Sequence, residues 1–97
     1  MSSNEPKTWT FLTNHAQVLL CLAKTPDIRL RDCAEQVGIT ERSTQRILSE
    51  LVAAGYVKKT REGRRNRYSV DREHAMRHTA QVGHEVGELL EALSEHG

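Results

Sequence analysis

The residues best suited to chemistry lie in two stretches, Thr40 to Ser49 (TERSTQRILS) and Arg61 to Arg67 (REGRRNR). In the first, Arg42, Ser43, Gln45, Arg46 and Ser49 fall with Glu41 on the outward side of a 3.6-residue period whose inward side is Thr44, Ile47, Leu48 and Leu51. Guanidinium, amide and hydroxyl groups arrayed in this way can bond base edges and phosphate oxygens. In the second, Arg61, Arg64, Arg65 and Arg67 crowd around a glycine and an asparagine. Forked guanidinium donors on a protruding turn match phosphate oxygens or a narrow groove.

The elements that must position these groups follow from the neighbouring residues. Leu30 to Ser49 reads as two short helices joined by a tight turn. Cys33 and Val37 lie four apart on one face of the first helix, and Ala34 is small enough for the second to cross closely. Gly38 permits the positive backbone angle that ends the first helix, and Ile39 pins the turn into the core. Thr40 is a good N-cap, so the second helix begins near Glu41, and Ala53-Ala54-Gly55 closes it. Tyr56 to Glu62 turns strand-like with Val57 inward. Glu62-Gly63-Arg64-Arg65-Asn66 has the composition of a hairpin loop, and the chain returns with Tyr68 and Val70 on one face.

Taken with AAGYVKKTREGRRNRYSV after it, this stretch resembles the winged helix-turn-helix of transcription regulators of the broad MarR and ArsR kind. The resemblance covers roughly Trp9 to Val70 and rests on Ala34, Gly38, Ile39 and Ile47 agreeing together, with Thr44 departing from the pattern's apolar residue. It implies a mainly helical α+β fold, a winged helix-turn-helix with a C-terminal dimerisation helix. The function implied is sequence-specific binding of double-stranded DNA by a homodimeric regulator. Arg42, Ser43, Gln45 and Arg46 on a recognition helix of about 41–54 would enter the major groove, with Thr40 and Ser49 touching backbone. Arg61, Arg64, Arg65 and Arg67 on a wing of about 57–70 would grip flanking phosphates.

Around this centre, residues 1–8 are polar and contain Pro6, which predicts a frayed arm. Trp9, Phe11 and Leu12 are large apolar groups to be buried on their own domain or against a second subunit. A scaffold helix is expected from Asn14 to Lys24, capped by Thr13 and stopped at Thr25-Pro26-Asp27. Asp27 to Leu30 could add a short strand beside the hairpin. Residues 71–97 are expected to form an acidic helix, on which Ala75, Thr79, Val82, Val86, Leu89 and Leu93 repeat at spacings of four and three. That seam predicts self-association, with folding back onto the domain as the alternative, and the dimer interface would comprise Trp9, Phe11, Val82, Val86, Leu89 and Leu93. Gly83 and Gly87 weaken such a helix but permit close helix approach. Dimerisation would set two recognition helices about one or more duplex turns apart, roughly 34 Å each.

Composition narrows the classes. Ninety-seven residues allow one small domain without a deep enzyme pocket, and with one Trp, two Tyr and one Phe the core must be aliphatic. The net charge of +1 hides an asymmetry: residues 40–70 carry eight basic against three acidic residues, and 71–97 carry two against six. The positive block coincides with the recognition helix and hairpin, the footprint a phosphate backbone requires. No signal pattern and no long apolar run is present, so a cytoplasmic protein is expected. Cys21 and Cys33 lie in apolar helical runs and read as small reduced hydrophobes. His74 and His78, four apart on the expected helix, could share a metal with His84, Glu85 or Glu88, but the ArsR-like metal motifs are missing, so no metal site and no cofactor are expected. No phosphate-cradling glycine loop, nucleophile elbow or His-Glu-x-x-His helix is found, which argues against an enzyme. A small-molecule or metal effector stays open, as does a winged helix used as a protein- or RNA-binding module.

Overall fold

Thr13 accepts the Ala16 amide through Oγ1 at 3.2 Å, and the helix it caps, α1, runs Asn14–Lys24. The computed structural model describes residues 10–93. The arm of residues 1–8 and Trp9 therefore lie outside the described residues. Val18, Leu19, Cys21 and Leu22 of α1 are buried, and Leu20 and Ala23 pack partly buried against the same core. Elements surround this helix on several sides, as its continuous apolar run requires.

Helix α2 (Leu30–Val37) ends at Gly38, whose φ is 86°. Its amide and that of Ile39 both donate to the Ala34 carbonyl, at 2.8 and 3.1 Å. A Cβ at Gly38 would meet no atom within 4 Å, so the backbone angle alone demands glycine there. Helix α3 (Glu41–Ala53) starts at Thr40, whose Oγ1 accepts the Ser43 amide at 3.0 Å. Its inward face is the one the period predicts: Thr44, Ile47, Leu48 and Leu51 are all buried. Each large side chain so buried is worth roughly 1.5–3 kcal/mol. Thr44 tolerates complete burial because its Oγ1 donates to the Thr40 carbonyl at 2.9 Å, leaving no unsatisfied hydroxyl at the crossing with α2.

Strands β1 (Val57–Glu62) and β2 (Arg65–Val70) pair antiparallel from Val57↔Val70 to Glu62↔Arg65. The hairpin loop is thus only Gly63-Arg64, narrower than composition suggests, because Glu62, Arg65 and Asn66 have entered the ladder. Gly63 has φ 63° and, among the described residues, no non-glycine residue has positive φ, the sign pattern of a type II′ turn. Among the described residues the sheet has two strands. The segment Asp27–Leu30 is not a third: Leu30 already belongs to α2, and the preceding loop meets the hairpin through one backbone bond, Tyr68 N–H to the Pro26 carbonyl at 2.8 Å.

The largest departure from expectation comes after Val70. Instead of one helix from Asp71, the described chain makes an irregular excursion with a 3-10 turn at Thr79–Gln81, and only α4 (Val86–Leu93) is α-helical. The reason is competition for the backbone. Tyr56 O accepts the Asp71 amide at 2.9 Å, and an Ala75↔Glu85 bridge pairs the two limbs of the excursion. Thr79, Val82 and Gly83 are poor helix formers, and Gly83 has φ 88°. The four-three repeat therefore does not form one stripe: Val86 is buried in the domain's own core, Leu89 is half-buried, and Val82 and Leu93 are exposed.

Gly87 has a different task from the helix–helix approach expected of it. Its amide donates to the Arg72 carbonyl at 2.7 Å, and a Cβ there would lie 2.6 Å from that same oxygen. Alanine normally favours a helix over glycine by about 1 kcal/mol, but here the clash is with backbone that cannot yield without losing the bond. Gly87→Ala is expected to undock α4 and lower stability by about 1–3 kcal/mol in urea unfolding. A midpoint equal to or above that of the parent chain would show that this contact does not hold α4.

Candidate nucleic-acid interface

With one side of α3 buried, the other is left to solvent. Thr40, Arg42, Gln45, Arg46 and Ser49 are exposed, and Ser43 is half-buried with its Oγ accepting from Thr40 Oγ1 at 3.0 Å. Gln45 Nε2 lies 3.5 Å from Ser49 Oγ, a contact at the limit of a hydrogen bond. Arg46 Nη1 reaches Glu50 Oε2 at 3.4 Å, and the other Glu50 oxygen meets His15 Nε2 of α1 at 2.6 Å. The Glu50 carboxyl is held below its usual range, first by the His15 hydrogen bond, against a smaller opposing desolvation, with Arg46 adding to the lowering.

The hairpin register divides its cations. Val57, Lys59 and Arg61 share a face with Asn66, Tyr68 and Val70, and the burial of Val57 and Tyr68 turns that face towards the helices. Arg61 Nε folds back to the Gly63 carbonyl at 3.2 Å. Arg65 Nη2 donates to the Asp27 carbonyl at 2.7 Å, tying the base of the turn to the α1–α2 loop. Arg64 is exposed at the tip. Arg67 lies on the opposite face and lines a separate crevice with Leu22, Ala23 and Pro26. Of the arginines singled out in the hairpin, the structure gathers Arg64 and Arg65 with Gln45 of α3, and sets Arg67 apart. Lys59 and Arg29 join that gathering and were missed; the signal for Lys59 was strand alternation counted from Val57.

The histidines serve packing. His74 and His78 do not share a helix. His74 Nε2 donates to the Ala54 carbonyl at 2.8 Å, and its ring meets Tyr56 edge-on at 4.2 Å. His78 Nδ1 accepts the Ala80 amide at 2.9 Å. His84 Nδ1 pairs with Glu88 Oε1 at 2.8 Å, while Glu88 Oε2 accepts the Glu85 amide at 2.9 Å at the start of α4. No group of three potential metal ligands converges among the described residues. Cys21 and Cys33 are buried free thiols, with Cys21 Sγ donating to Gln36 Oε1 at 3.2 Å. Burial, and then the neighbouring Cys21, push the Cys33 thiol up to about 12. A groove of about 850 Å³ opens between α1, the end of α3 and the C-terminal segment, with Leu19, Leu51, Met76, Val86 and Leu89 on its walls and His15, Glu50 and Arg77 around it.

The His15–Glu50 contact carries a pH dependence of definite sign. A carboxyl depressed in the folded state stabilises above its unfolded pKa, and that contribution is lost as pH falls through the folded value. Thermal unfolding between pH 7 and pH 3 is expected to show Glu50→Gln losing less stability on acidification than the parent chain. Parallel curves would show that the contact contributes nothing.

The comparisons with known proteins agree with this fold. Residues 12–61 match the profile of the IclR helix-turn-helix domain. No curated protein matches the chain. A solved structure, the PcaV transcriptional regulator from Streptomyces coelicolor in complex with its natural ligand, is 25% identical with a TM-score of 0.52 over 70% of this chain and 47% of PcaV. The chain thus spans about half the length of that regulator. No helix among the described residues is long and apolar enough to cross a membrane. The residues behind the resemblance to the MarR and ArsR kind, Ala34, Gly38, Ile39 and Ile47, belong to the helix-turn-helix core, which does not by itself separate regulator families; the profile, which covers half of the chain, does. The chain belongs to the IclR helix-turn-helix family, the DNA-binding domains of transcription regulators and not of enzymes.

Proposed function

We propose that this domain reads a specific double-stranded DNA site as a cytoplasmic homodimer, with α3 in the major groove and the hairpin on flanking phosphates. The observation that carries the reading is the division of α3. Its inward face is wholly buried, which fixes the helix, and its outward face exposes Arg42, Gln45, Arg46 and Ser49, side chains able to read bases and hold phosphates. Ser43 and Thr40 are spent partly on capping and act at the backbone. Arg46 must leave Glu50 to reach a base or phosphate, a small cost for an exposed pair.

Self-association is supported by what the domain leaves uncovered. Phe11, Val82 and Leu93 are 93%, 74% and 46% exposed, and the groove wall formed by Leu89 and Met76 opens nearby. Val86 has already been used by its own domain, so the surface offered to a second copy is Phe11, Val82, Leu89 and Leu93. The likeness to PcaV, solved with its natural ligand, favours a second reading, a ligand-responsive regulator whose effector occupies the groove beside α3.

Fluorescence anisotropy on the duplex upstream of the protein's own gene and on a scrambled duplex tests the DNA reading. Gln45→Ala is expected to reduce the preference between them by about 1–3 kcal/mol, whereas Arg64→Ala weakens both alike and lowers the salt slope by about 1. Unchanged preference in Gln45→Ala would remove that residue from base reading. For the dimer, Leu93→Asp with Val82→Asp is expected to shift sedimentation to the monomer without loss of helicity. A parent chain that already sediments as a monomer at micromolar concentration would overturn self-association.

A further inference from the structure

We infer that the crevice between α3 and the hairpin is a seat for a DNA backbone phosphate, gripped by Lys59 and Arg29 and held in shape by Arg65. The inference rests on the DNA-binding reading and extends it to residues outside both the recognition face and the hairpin tip.

The crevice holds about 240 Å³ and is lined by side chains from four parts of the chain: Arg29 at the start of α2, Gln45 from α3, Lys59 from β1, and Arg64 and Arg65 at the turn and β2. Asp27 is the one carboxylate-bearing residue among those lining it. Among the described residues, Arg29, Lys59 and Arg64 take part in no ion pair. Several cations facing a common space repel one another unless an anion enters. The volume suits a phosphate with a few waters, each of which needs about 30 Å³.

Three features select a backbone phosphate over a base. The charged donors that line it are all cations, beside the buried Leu48, Ile28 and Tyr68. Gln45 of α3 and Arg64 of the turn line the same crevice, so a strand held by both the α3 face and the hairpin tip would pass it. Register directs Lys59 to this side with Tyr68, whereas its neighbour Lys58 pairs with Ser69 on the far face. Arg65 acts as a positioning residue: its bond to the Asp27 carbonyl, with Tyr68 N–H to the Pro26 carbonyl, sets the separation of the crevice walls.

The neighbouring lysines provide the test, since Lys58→Ala and Lys59→Ala remove the same charge one residue apart from opposite faces. Anisotropy titrations of the parent chain, Lys58→Ala, Lys59→Ala and Arg29→Ala would be run across 50–200 mM salt, with circular dichroism melts confirming that each folds. Lys59→Ala and Arg29→Ala are each expected to lower the salt slope by about 1 and to weaken all duplexes alike, by about tenfold at low salt, with Lys58→Ala close to the parent. If the parent binds duplex DNA but the two lysine variants lose equally, or neither loses, the crevice assignment is wrong and the DNA reading stands. If the parent binds no duplex at 50 mM salt, both fall together.

Discussion

A helix that ends inside a small protein leaves carbonyl groups that must find donors, and the rest of this domain depends on how α3 solves that problem. Gly55, at φ 90°, turns the chain so that the Gly55 amide reaches the Val52 carbonyl and the Tyr56 amide reaches that of Leu51. These two bonds form a Schellman motif, and its usual apolar contact is supplied by Leu51 and Tyr56 in the core. The Ala54 carbonyl is taken by His74 from 20 residues further on. Tyr56, placed by the motif, in turn donates through Oη to the Ala75 carbonyl at 2.6 Å and starts the strand that leads into β1. One helix end thereby orients the hairpin and anchors the C-terminal segment.

The same helix separates electrostatics from packing. Every side chain that α3 turns inward is apolar except Thr44, whose hydroxyl is returned to its own helix. Its outward side keeps two arginines and an acid in one file, and the acid is occupied by His15. Glu50 is therefore tied to the scaffold.

How much of this could be read in the residues depends on the range of the interactions involved. The bounds of α1, the caps at Thr13 and Thr40, the break at Gly38 and the inward file of α3 were legible because each is decided within about four residues. The outward face of α3 was legible for the same reason. Beyond Val70 the repeat of apolar residues misled, because it counts side-chain types and ignores rival partners for the backbone: Tyr56, Arg72 and the Ala75↔Glu85 bridge all draw on that segment. The bond from Arg65 to Asp27 spans 38 residues, and the meeting of Arg29 with Lys59 is likewise a product of tertiary placement. Arginine counts along the hairpin could not show which of them meet: Arg65 and Arg67 alternate onto one face of β2, yet Arg65, at the turn, lines the crevice with Lys59 while Arg67 does not.

The way α4 is attached gives the molecule two tiers of cooperativity. Helices α1 to α3 and the hairpin share one continuous core, whereas α4 is fastened by the Val86 and Leu90 side chains and by the Val86 and Gly87 amides, bonded to the carbonyls of His74 and Arg72. Such a segment opens by sub-global unfolding while the remainder stays native, so its amides would exchange with solvent far sooner than those of Ile47 or Leu48. Release of α4 would widen the groove that Val86 and Leu89 line together with Leu51 and Tyr56. Anything that covers or pries off this last helix would therefore act through the population of an open state.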